Sequence, residues 1–121
     1  MRKQTMYFIY DGTYPGFLSA VYEIYHFGTS RLEGIAPDNG EGQLFGMTYM
    51  VDTRYLHAEQ VAAAFEKKCG REEQRWMYRA FLSNEEGKEM KIFYFLKEGF
   101  KMGKKSYTHQ KEPWVQDILA M

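Results

Sequence analysis

Between residues 88 and 111 the chain carries seven lysines, at positions 88, 91, 97, 101, 104, 105 and 111, against only Glu89 and Glu98. Phe93, Tyr94, Phe95, Phe100 and Tyr107 are interleaved with them. Ammonium groups neutralise phosphates and aromatic faces stack on bases, so the mixture suits a nucleic-acid strand. The same residues also suit a solvated helix whose aromatics point into a core, because Phe93 and Leu96 share one helical stripe. Lys101, Lys104 and Lys105 stand apart from that ambiguity. They sit where the helical pattern gives way to a connection, and with Tyr107 they are the candidates for phosphate and base contact.

Nucleophiles, bases and metal ligands are sparse. The three histidines, at 26, 57 and 109, are far apart and match no metal-ligand spacing such as HxxxH or HExxH. His57 reads as part of a helix first turn, and His26 lies near a helix end, where a cation is favourable. Cys69 falls on an apolar stripe, the position of a small buried hydrophobe rather than a nucleophile. Asp11-Gly12-Thr13 joins a strand to a helix start, where backbone N–H groups can receive an anion, although turn and cap duty account for it fully. Glu85-Glu86 suits a helix dipole in the same way. No catalytic residue, metal site or cofactor follows from these residues, and an enzymatic role stays open.

The chain has 121 residues and a formal net charge of zero, with 26% charged residues and one cysteine. That length predicts a single domain with a core of its own. The charge balance excludes a disordered acidic or basic tail, and one cysteine excludes an internal disulfide framework. No apolar run approaches a membrane span and no signal-peptide pattern opens the sequence, so the expected location is the cytoplasm. Two Trp, ten Tyr and nine Phe are a heavy aromatic load for this size, serving either a Tyr-rich core or a stacking surface.

Several elements can be read directly. Met6-Tyr7-Phe8-Ile9-Tyr10 is a strand pattern closed by the turn pair Asp11-Gly12. Thr13 and Pro15 mark a helix start, and Phe17, Leu18, Val21, Ile24 and Tyr25 recur at helical spacing up to Gly28. Residues 33–43, with three Gly and one Pro, read as a loop, and Phe45 to Val51 alternates like a second strand. Asp52-Thr53 suits the cap of a helix with the stripe Ala58, Val61, Ala62, Phe65 and Cys69, stopped by Gly70. A further helix covers Arg71 to Leu82 with Trp76, Met77, Ala80 and Phe81 inward. Ser83-Asn84-Glu85-Glu86 predicts a capping box for the next, which carries Met90, Ile92, Phe93 and Leu96 and closes at Gly99. Glu112-Pro113-Trp114 opens a last helix that stops without a terminating signal, as an interrupted element would. The expected fold is α+β, a small antiparallel sheet of short strands packed on about five helices.

The run from Tyr7 to Glu23, YFIYDGTYPGFLSAVYE, resembles the start of a bacterial family of DNA-metabolism or DNA-repair proteins built on a domain of unknown function. The Asp52-Thr53 segment with Ala58, Val61 and Phe65 is similar to the same family, as is Tyr78 to Ser83 with Gly99-Phe100 and Gly103. The resemblance implies a role in DNA repair or base modification beside a radical-SAM partner, some members being fused to a uracil-DNA-glycosylase-like domain. It also implies that residues 1–121 are the N-terminal part of a longer architecture. The partner would bring its own iron–sulfur cluster, since one cysteine cannot supply the usual ligand set.

Two functions follow as expectations. In the first, the chain is a DNA-metabolism accessory domain that contacts DNA through Lys101, Lys104, Lys105 and Tyr107. In the second, it is a protein-interaction module without nucleic-acid contact. Its last helix would then present Trp114, Val115, Ile118 and Leu119 as an apolar docking face, including for a second copy of the chain.

Overall fold

The computed structural model describes residues 4–39, 47–103 and 112–121. The chain forms two compact units, Met1–Val61 and Ala62–Met121.

In the first unit the aromatic and β-branched run Met6–Tyr10 is strand β1. Helix α1, Tyr14–Phe27, follows it. Thr13 is extended and its Oγ accepts the Gly16 N–H at 3.0 Å, which makes it the N-cap, and Pro15 occupies the first turn. The Gly28 N–H closes the helix on the Ile24 carbonyl at 2.9 Å. After one turn of 3-10 helix, Thr29–Arg31, strand β2, Leu32–Pro37, lies beside β1, and β3, Met47–Met50, lies on its other side.

Both pairings are parallel, in the order β2-β1-β3, which corrects the expectation of an antiparallel sheet. A two-residue turn reverses a strand, whereas fourteen residues of α1 carry the chain back along it, so β2 runs the same way as β1. Residues 33–37, expected within a loop, are β2. Gly34 is needed for close approach, because a Cβ there would lie 2.8 Å from the Tyr7 ring. Pro37 ends an edge strand, the position in a sheet where its missing donor costs least. An aromatic layer fills the space between sheet and helix: Phe8 meets Phe27 at 5.9 Å and Tyr49 at 5.7 Å, and Tyr10 meets Phe17 at 5.9 Å.

Helix α2, Tyr55–Cys69, contains the division between the units. Just before it the Arg54 N–H donates to Ser19 Oγ at 3.0 Å, a hydroxyl that itself donates to the Pro15 carbonyl within α1, and the Thr53 hydroxyl donates to Asp11 Oδ2.

In the second unit α3, Arg71–Phe81, α4, Lys88–Met102, and α5, Pro113–Leu119, pack against one another. The Phe95 ring is fully buried, with the rings of Phe65, Trp76 and Trp114 at 5.9, 6.5 and 5.8 Å. Gly99 does not end α4. It lies inside the helix, where a Cβ would come within 2.8 Å of the Phe65 ring and 3.0 Å of Cys69 Sγ. The expected capping box at Ser83 also fails to form. Ser83 Oγ takes the Glu85 N–H at 3.3 Å, and α4 begins later, after Gly87 in the left-handed conformation. Lys88 closes the turn by donating to the Phe81 and Ser83 carbonyls at 2.6 and 3.0 Å, which satisfies orphan acceptors at the end of α3.

The residues expected to form a docking face on α5 are mostly buried. Trp114, Val115 and Ile118 are 7%, 0% and 0% exposed, and Leu119 is half-buried. Among the described residues they pack α5 against α3 and α4. Among the described residues no helix is long and apolar enough to cross a membrane.

Candidate functional site

The outward face of α4 gathers the side chains best suited to binding. Successive helical residues turn by about 100°, so positions 90, 94, 97 and 101 fall within roughly 60° of one another. Met90 and Tyr94 are 38% and 51% exposed, and Lys97 and Lys101 are exposed with them. The opposite side of the helix, with Ile92, Phe95, Leu96 and Gly99, is buried. Burial of that side fixes the helix rotation and thereby turns Tyr94 outward, although Tyr94 lies between two core phenylalanines in sequence.

The lysines of α4 divide into two kinds. Lys88 is held by backbone carbonyls and lies 4.6 Å over the Phe81 ring, and Lys91 pairs with Glu85 at 3.2 Å. Lys97 and Lys101 form no ion pair among the described residues. Among the described residues nothing neutralises these two charges, which stand one helical turn apart and suit an anionic ligand. Helix α3 carries a similar outward stripe of Arg75, Tyr78, Arg79 and the adjoining Leu82, with Tyr78 47% and Leu82 62% exposed. Arg75 is partly committed there, 3.7 Å from Glu72.

Of the residues predicted to contact nucleic acid, Lys101 is on this face, while Lys104, Lys105 and Tyr107 lie outside the described residues. Tyr94 and Lys97 belong to the face and were not singled out. Plotting residues 88–102 on a helical wheel separates them from the apolar side, and that signal was present in the sequence.

A second polar cluster stands where β1 and β3 end. Asp11 Oδ1 accepts from the Thr13 N–H at 2.9 Å and the Thr13 hydroxyl at 2.6 Å, and Oδ2 accepts from the Thr53 hydroxyl at 2.7 Å. Burial opposes ionisation, but these bonds to the charged form outweigh it and hold the Asp11 carboxyl below its ordinary value. The cluster is a structural clamp that keeps Thr13 on the α1 terminus and ties β3 to β1. Thr13→Ala should cost about 1 kcal/mol at neutral pH in thermal melts followed by circular dichroism. The contribution of Asp11 has the sign of a depressed carboxyl. It is complete above the unfolded value of about 3.9 and lost as pH falls through the lower folded value. The deficit of Asp11→Asn relative to the parent should accordingly shrink between pH 5 and 3, and a constant deficit would remove the charge from the account.

The remaining chemical side chains are occupied structurally. His57 stacks on Tyr22 with ring centres 3.8 Å apart, His26 stands edge-on to Phe27, and His109 lies outside the described residues. Burial, then the neighbouring Glu73 carboxylate, pushes the Cys69 thiol up to about 11, with Lys68 countering only in part. At pH 8 this thiol should react with a disulfide reagent on the order of a hundredfold more slowly in the folded chain than in urea. Equal rates would show that Cys69 is accessible. Among the described residues no group of three or more His, Cys, Asp or Glu is arranged to hold a metal ion.

Compared with protein-family models, curated proteins and solved structures, the chain matches none. The outward face of α4 therefore has to be interpreted from its own chemistry.

Proposed function

We propose that the chain is an accessory domain of DNA metabolism that works in the cytoplasm beside a radical-SAM protein and touches nucleic acid through α4. The observation that carries the nucleic-acid part is the exposed stripe of Tyr94, Lys97 and Lys101, in which both cations lack an ion pair among the described residues. Phosphate neutralisation by lysine is independent of sequence and displaces counterions, so the binding is salt-sensitive. Support for the DNA-repair setting and for the radical-SAM partner comes from the resemblance of residues 7–23 and the later segments.

The test is a fluorescence-anisotropy titration of labelled DNA with the full chain at 50 and 200 mM salt. Micromolar binding that weakens with salt is the expected result, and a chain that binds nothing at 50 mM would end the nucleic-acid reading. That second outcome would favour a protein-interaction role, for which Met50, Tyr55 and Leu56, 57%, 70% and 66% exposed within seven residues, form an alternative surface.

A further inference from the structure

We propose that α4 receives single-stranded rather than duplex nucleic acid, with one unpaired base stacked on Tyr94 and adjacent phosphates held by Lys97 and Lys101. This rests on the nucleic-acid reading above and specifies the strand state that the same face selects.

Three features point to a single strand. Tyr94 is about half exposed on a convex helix face, so its ring can be covered by a flat partner approaching from solvent. A base offers such a partner only when unpaired, because a duplex buries base faces in its own stack and shows only their edges in the grooves. The second feature is composition. A helix reading a duplex groove draws on Arg, Lys, Asn and Gln to pair with base edges, and the stripe at 90, 94, 97 and 101 offers only Lys among these, with no Asn or Gln to read adenine. Methionine at 90 instead extends an apolar, polarisable floor one turn from the Tyr94 ring. The third feature is spacing. Lys97 and Lys101 are about 6 Å apart along the axis, comparable to the step between neighbouring phosphates on one extended strand, and Lys97 follows Tyr94 by about 4.5 Å. Base and backbone of the same nucleotide run can therefore be engaged together, and charge complementarity is supplied by two cations that form no ion pair among the described residues.

The probes are a labelled oligothymidylate and its duplex with oligoadenylate, titrated with the full chain and with Tyr94→Ala, Tyr94→Phe and the pair Lys97→Glu with Lys101→Glu. Because Tyr94 is on the surface, far-ultraviolet circular dichroism of the variants should match the parent. Tyr94→Ala is expected to weaken single-strand binding roughly 5- to 10-fold, with less than a twofold effect on duplex, while Tyr94→Phe retains the parent affinity. Equal effects of Tyr94→Ala on both probes, no effect on either, or a loss in Tyr94→Phe as large as in Tyr94→Ala would overturn the strand-state proposal. In those cases a lysine pair that still weakens binding would leave the broader nucleic-acid reading standing. A parent chain that binds neither probe would overturn both.

Discussion

Phe95→Ala is expected to remove about 3–5 kcal/mol from the stability of the unit formed by residues 62–121. Phe95 is fully buried and its ring is surrounded by those of Phe65, Trp76 and Trp114, drawn from α2, α3 and α5. Truncation removes the transfer free energy of the ring and leaves a cavity lined by stiff aromatic groups that collapse poorly. A whole small domain is stable by only about 5–15 kcal/mol, so the loss is a large share. The readout is built in. The chain has two tryptophans, Trp76 and Trp114, and both are in this unit, so their emission during urea unfolding reports on it directly. A loss below about 1 kcal/mol would mean that the ring cluster does not organise the helices.

The second large effect concerns binding. Reversing Lys97 and Lys101 to Glu together removes two phosphate contacts and replaces them with two like-charge repulsions. Two contacts to a single strand correspond to a slope near −1.4 in log affinity against log salt, or about a sevenfold loss from 50 to 200 mM. The double variant should lose that part of the slope and bind at least tenfold more weakly at 50 mM. Both side chains are exposed and make no ion pair among the described residues, so the fold should be unaffected. The pair Lys88 and Lys91 provides the contrast, because those charges are engaged with backbone carbonyls and with Glu85. An affinity unchanged by the double reversal would remove α4 as the contact.

Local signals in the sequence were reliable where the structure uses them locally. Thr13 and Pro15 announce α1 because the cap is built from atoms three residues apart, and of the 3.6-residue stripe of α2, Ala58, Val61, Phe65 and Cys69 are buried while Ala62 is half-buried. Long-range requirements were silent. Gly34 and Pro37 look like loop residues, yet the glycine makes room for a Tyr7 ring twenty-seven residues away in sequence. The residue before α2, Arg54, is tied through its N–H to Ser19, thirty-five residues away, which no pattern around Asp52-Thr53 could disclose. Gly99 resembles a helix terminator and is in fact the contact point for Phe65 and Cys69. The direction of the strands was misjudged because β2 was missed, and without it the crossover by α1 had no destination. At the candidate site, Lys101 is legible from charge, whereas Tyr94, flanked by phenylalanines in the linear sequence, is legible only once residues 88–102 are projected around the helix axis.

The central position of β1 has a consequence during synthesis. Of the three strands in this sheet, the one translated first is the one with two partners, and those partners end at Pro37 and Met50. At about 5–20 residues per second, the forty residues from Tyr10 to Met50 take roughly 2–8 s. For that interval Met6–Tyr10, an uncharged aromatic segment without proline, has at least one ladder edge open. Such a segment is a template for wrong pairing. Helix α1 is complete well before either partner and carries the Phe17 and Phe27 that meet Tyr10 and Phe8, so it can shield one face of β1 while the nascent chain waits for β2 and β3.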